Sequence, residues 1–168
     1  MIDGDTIRVR HCPTRFNCPK PDPNIRRIYD STLSIRLYGV DCPELQKRKS
    51  GPPSQPFAEE AKEITYDLIL GRKVQIKLLR KDQYGRAIGK VLTSLRVFPP
   101  FSRKDISVEL TQRGLATIYT GRGAEYDGNR ELFEAKQEQA KKKRRGVWSL
   151  GDSMVSPAEF KRQQKALK

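Results

Sequence analysis

Histidine is almost missing from this sequence: His11 is the only one. It stands at the end of an alternating segment beside Cys12 and reads as a loop residue rather than a metal ligand or a base. With Cys12 and Cys18 it lacks a fourth zinc donor of suitable type and spacing, so a zinc site is not expected. Cysteine is scarce as well. Cys12, Cys18 and Cys42 make an odd count of three, which argues against a disulfide framework and favours a reducing compartment. A single Cys12–Cys18 bridge is left open. No apolar run is long enough to span a bilayer, and the first residues lack the apolar core of a signal peptide. Acids are in short supply too: 20 Asp plus Glu face 34 Lys plus Arg, for a formal net charge of +14.

That imbalance, with a pI near 9.9, implies an anionic partner, because the summed field attracts polyphosphate from a distance. It says nothing about chemistry. At 168 residues and 36% hydrophobic content the chain fits one domain with an adequate core and a tail. Met1 is followed at once by "IDGDTIRV", so the chain opens inside a motif. A shortened start is the expectation drawn from this.

"TIRVRH" (Thr6 to His11) alternates apolar and polar residues as a half-buried strand should. Pro13, Pro19, Pro21 and Pro23 make the segment from Cys12 to Asp30 a loop. "TLSIRLYGV" (Thr32 to Val40) predicts a strand, and "LQKRKSGPPSQP" a basic second loop. Phe57, Ala61, Ile64 and Leu68 fall at helical spacing, with Gly71 as a stop. "KVQIKLL" and "AIGKVLTSLRV" predict strands joined by "RKDQYGR" as a turn. "ISVELTQRGLA" predicts a short helix ending at Gly114, and Arg130 to Arg145 a longer one with its basic end at the negative pole of the helix dipole. Trp148 should fold back onto the core. "SPAEF" starts a last helix, with Ser156 as N-cap, Pro157 in the first turn and Glu159 set for a capping box. This order predicts an α+β fold: a small antiparallel barrel with helices packed on it.

Several short motifs carry chemistry. "DGDT" (Asp3 to Thr6) and "DQYGR" (Asp82 to Arg86) are, in isolation, turn signals. "RLYGVDCPE" (Arg36 to Glu44) gathers two acids, Asp41 and Glu44, at the end of an apolar run in a basic protein. "RGLA" (Arg113 to Ala116) alone is a helix cap followed by core residues.

Taken in order, with the lysine-rich helix ending in "GVW", these motifs resemble the staphylococcal (micrococcal) nuclease family over nearly the whole chain. The resemblance implies a five-stranded OB-fold barrel with about three helices, its first strand truncated here. It sets a nuclease-like domain at 1–149 and a basic helical extension at 150–168. It implies calcium-dependent, sugar-nonspecific hydrolysis of DNA and RNA phosphodiesters, leaving 3′-phosphates. On this resemblance Asp5 and Asp41 match the calcium carboxylates. Cys42, where many members have threonine, matches a ligand that acts through its backbone carbonyl. Glu44 matches the glutamate linked to the attacking water, Arg36 and Arg86 the phosphate-clamping arginines, and Tyr84 a tyrosine of the nucleotide pocket. The tail looks more like the membrane-anchored eukaryotic members, some of them mitochondrial, than the secreted bacterial ones. A monomer is expected, mitochondrial or otherwise membrane-anchored if an N-terminal segment has been removed, and intracellular if not. The rival readings are a noncatalytic OB module that binds nucleic acid through its basic surface, and a protein-interaction domain.

Overall fold

The alternating segment around Ile7 folds as strand β1 (Thr6–Val9), which stops short of His11. It pairs antiparallel with β2 (Leu33–Leu37), setting Ile7 opposite Ile35, and both side chains are fully buried. The computed structural model describes residues 3–13, 27–46, 51–94 and 103–166. Most of the expected 12–30 loop, part of the basic loop that follows Glu44, and the end of the strand predicted to reach Val97 lie outside them.

β2 lies beside β5 (Ala87–Ser94), which also pairs with β4 (Val74–Lys81) and β6 (Arg103–Asp105). The sheet of five strands follows the path β1-β2-β5-β4, with β6 added on β5. It is mixed, which corrects the expectation of an all-antiparallel sheet: β2 and β5 run parallel. The reason is connective. Helix α1 (Ala58–Ile69) and β4 stand between those two strands in the chain and supply the long crossover that parallel neighbours need. A second sheet, of two strands, pairs β3 (Val40–Asp41) antiparallel with β7 (Thr117–Ile118). The whole is the α+β, OB-like arrangement that the motifs imply.

The helices close the core. α1 buries Ala58, Ala61 and Thr65, and the expected Ile64 packs against the same cluster. Asp105 caps α2 (Ile106–Arg113), its carboxylate accepting from the Ser107 and Val108 backbone N–H groups, which otherwise lack helical partners. Phe133 of α3 (Arg130–Lys142) is buried edge-on against Tyr38, with ring centroids 5.2 Å apart. Past α3 the chain returns to the end of α2: Val147, which is buried, donates its backbone N–H to the Gly114 carbonyl at 2.9 Å, and Trp148 is partly buried. The last helix, α4 (Pro157–Ala166), starts as its sequence reads, with Ser156 Oγ accepting from the Glu159 N–H at 3.2 Å. Cys12 is disulfide-bonded, whereas Cys42 is free and buried. Cys18 lies outside the described residues.

Candidate active site

β1, β2 and β3 bring the opening motifs together. Asp5 immediately precedes β1, Arg36 sits on β2 opposite Thr6, and Asp41 ends β3. Between β2 and β3 the chain reverses through Tyr38 and Gly39. Gly39 has φ of 70°, a left-handed conformation that costs an L-residue energy, so glycine fits the turn. A Cβ there would also stand 3.0 Å from the buried Phe133 ring.

Arg36 is the hub of the result. Its Nη1 donates to Asp5 Oδ2 at 2.8 Å, and its Nη2 donates to Asp41 Oδ1 at 2.9 Å and to the Val40 carbonyl at 3.2 Å. Asp5 and Asp41 are almost completely buried, with side chains only 5% and 4% exposed. Burial alone would lower the Arg36 pKa, but Asp5 and Asp41 outweigh it and hold the guanidinium above its ordinary range. The fork therefore stays charged and fixed in direction. The Tyr119 ring lies against the guanidinium, 5.4 Å from Cζ to centroid.

The neighbours are held from several directions. Thr6 Oγ1 donates to Asp5 Oδ1 at 2.9 Å, and accepts a longer bond from Arg86 Nη1 at 3.3 Å. Arg86 reaches there from the β4–β5 turn, where its Nε donates to Asp82 Oδ2 at 2.8 Å and its backbone N–H to Asp82 Oδ1 at 2.9 Å. Burial would raise the Asp82 pKa; the Arg86 hydrogen bonds outweigh that and hold it below the usual carboxylate range. Tyr84 in the same turn is 75% exposed, its ring 5.7 Å from the Arg86 guanidinium. That leaves its face open for stacking. Thr117 Oγ1 bonds the Asp41 carbonyl at 3.3 Å across the β3–β7 pair.

Glu44 follows on the loop, where its backbone N–H donates to Gln55 Oε1 at 2.9 Å. Cys42 is buried beside the carboxylates, and burial together with Asp5 and Asp41 pushes its thiol pKa well up. A neutral thiol is a poor ligand, so any contribution of Cys42 to cation binding falls to its backbone.

The structure thus gathers Asp5, Arg36, Asp41 and Glu44 on one side of the sheet and brings Arg86 to its margin. Sequence reasoning missed two residues. Gln55 is buried and orients the Glu44 loop, yet stands in a stretch read only as a proline-rich loop. Lys161, on α4, donates to Asp41 Oδ1 and Oδ2 at 3.1 and 3.4 Å, and pairs with Glu44 Oε1 at 2.8 Å. Burial lowers the Lys161 pKa, but Asp41 and Glu44 outweigh it and raise it above the ordinary lysine value. No local signal marked that lysine among the chain's other basic residues; only its fold position does.

An OB-like scaffold that sets paired carboxylates beside two arginines is suited to a phosphate diester held near a hard cation. A sequence profile of the staphylococcal nuclease homologues matches residues 34–150. Curated relatives agree along almost the whole chain. It is 41% identical over 162 residues to the endonuclease Htp3 of Saprolegnia parasitica, covering 96% of this chain and 72% of that protein. It is 36% identical to the probable endonuclease LCL3 of Yarrowia lipolytica, covering 96% of this chain and 72% of that one. It is 37% identical to the Meyerozyma guilliermondii protein of the same name, over 95% of this chain and 70% of the relative. The chain belongs to the staphylococcal nuclease homologues, a nuclease family.

Proposed function

We propose that this chain is a calcium-dependent nuclease that hydrolyses phosphodiesters of DNA and RNA and leaves 3′-phosphates. One observation carries the reading: a single partly buried arginine, Arg36, binds two buried carboxylates at 2.8 and 2.9 Å. Burying such charges is costly even when they are paired, which marks the cluster as a candidate site. Asp5 and Asp41 offer hard oxygen donors, the type calcium takes, and the neutral Cys42 leaves the donor set free of thiolate. Among the described residues no cluster of three or more His, Cys, Asp or Glu converges to hold a metal ion. Two carboxylates, a carbonyl and waters therefore make a weak site, which substrate oxygens would complete. Bound calcium would neutralise charge on the phosphate.

The protein's own groups do the rest. Arg86, and the Arg36 N–H groups that Asp5, Asp41 and Val40 do not take, would meet the phosphate oxygens, where charge grows during attack, and so favour the transition state over the ground state. Glu44 orients a water and can accept its proton, although a carboxylate is a modest base at neutral pH. Tyr84 stacks on a base, and the surplus of lysine and arginine holds the polyanion without regard to sequence. A noncatalytic nucleic-acid-binding or protein-interaction module would have no need of all five of Asp5, Arg36, Asp41, Glu44 and Arg86.

The active unit proposed is a monomer. The proposed location is mitochondrial or otherwise membrane-anchored, on the family likeness. No described helix is long and apolar enough to cross a membrane. The test is cleavage of single-stranded DNA and RNA with calcium in excess and with calcium chelated. Cleavage of both substrates with calcium and of neither without it is expected; equal cleavage under chelation would overturn the metal assignment.

A further inference from the structure

The family match ends at residue 150, yet the helix beyond it reaches the site. α4 is seated through Pro157, which is buried, and through Val155, whose carbonyl accepts from Gln55 Nε2 at 3.2 Å. The same Gln55 holds the Glu44 N–H through its Oε1. One buried side chain thus ties the carboxylate loop to the start of α4. Further into the helix, the Lys161 ammonium lies 3.1 and 3.4 Å from the two oxygens of Asp41 and 2.8 Å from Glu44 Oε1. An ammonium and a hard metal ion seek the same oxygen lone pairs. The Asp41 carboxylate is shared between Arg36 and Lys161, so a second cation has to displace one of them.

Lys161 is the one free to leave. Arg36 is 13% exposed and anchored on a central strand, whereas the Lys161 side chain is 40% exposed with a path to solvent. Beneath α4 lies a cavity of about 300 Å³ bordered by Pro43, Pro53, Val147, Leu150, Pro157 and Phe160. A helix on an incompletely filled bed gives up fewer contacts when it shifts than one in a close-packed core. Charge favours the exchange as well. Asp5 and Asp41 share the single charge of Arg36, and withdrawing the lysine leaves these two carboxylates one negative charge in excess, which favours a cation in its place.

We propose that Lys161 is a tethered competitor of the metal: α4 places its ammonium on Asp41 and Glu44 when calcium is absent and withdraws it when calcium binds. This rests on the calcium reading above. The C-terminal helix then sets the calcium concentration at which the site fills, and monovalent salt, which screens the half-exposed ammonium, narrows the effect.

The test is calorimetric titration of calcium, without nucleic acid, into the full chain as wild type, Lys161→Gln and Lys161→Arg. Hydrogen exchange of residues 157–166 is followed in the wild type with and without calcium. Lys161→Gln should bind calcium about tenfold more tightly, the factor imposed when only about one-tenth of the wild type is open to metal. Lys161→Arg should stay near wild type. Calcium should speed exchange in α4, a readout that survives even if a variant folds badly. Equal or weaker binding by Lys161→Gln, or calcium that leaves α4 exchange unchanged or slower, overturns the proposal. Calcium heat from none of the three proteins brings down the calcium reading itself, and the competition with it.

Discussion

The two arginines of the site are held in opposite ways. Arg36 sits on β2 and is fixed by carboxylates from β1's approach and from β3, so its position depends on sheet register. Arg86 closes a short turn and is fixed by Asp82 of the same turn, with one longer bond across to Thr6. The first arrangement is buried and non-local; the second is half-exposed and local. Function and stability are therefore coupled at Arg36 and separable at Arg86.

Removing Arg36 is the strongest way to probe that contrast. Arg36→Ala leaves Asp5 and Asp41 buried without their counter-charge, a loss of about 3–5 kcal/mol for a broken buried pair. Urea unfolding should show that loss, and cleavage should vanish with it. Arg86→Ala should cut turnover by about 10²–10³ with little change in nucleic-acid affinity, the size of one transition-state donor. Its stability should fall by about 1 kcal/mol, as for a local pair at the edge of the surface. Equal losses of affinity and turnover would place Arg86 in ground-state binding instead.

Gly39→Ala touches the turn that lets Arg36 meet Asp41. Forcing a side chain into φ of 70° costs about 1–2 kcal/mol, and the Phe133 ring must also give way. The coupled half predicts that cleavage falls along with thermal stability. The smallest effect belongs to Asp82. Its folded pKa is depressed, so its contribution is present above the unfolded value of about 3.9 and is lost as pH falls through the lower folded value. The stability advantage of wild type over Asp82→Asn should accordingly be flat near neutrality and shrink below about pH 4.

The same contrast explains what could be read from the sequence. "DQYGR" is a local device, and its turn and the Arg86–Asp82 pair follow from residues four apart. The alternation around Ile7 and Ile35 marks two strands and their buried face, but alternation carries no strand direction, so the parallel β2–β5 pairing was out of reach. Asp5 and Arg36 are 31 residues apart, and only the order of the motifs, through the family resemblance, joined them. Lys161 and Asp41 are 120 apart, and the helix start "SPAEF" just before the lysine carries no sign of that partner. Long-range partners without a motif are legible only in the fold.

On the proposed calcium reading, the carboxylates gathered by Arg36 hold the ion on which cleavage depends. The most direct measurement is cleavage rate against calcium concentration for wild type and Asp41→Asn, with Asp152→Asn, outside the site, as control. The account predicts that Asp41→Asn needs at least about tenfold more calcium for half its maximal rate, as expected when a charged ligand is lost from a weak oxygen site. Asp152→Asn should overlay the wild type. Coincident calcium curves for wild type and Asp41→Asn would contradict it.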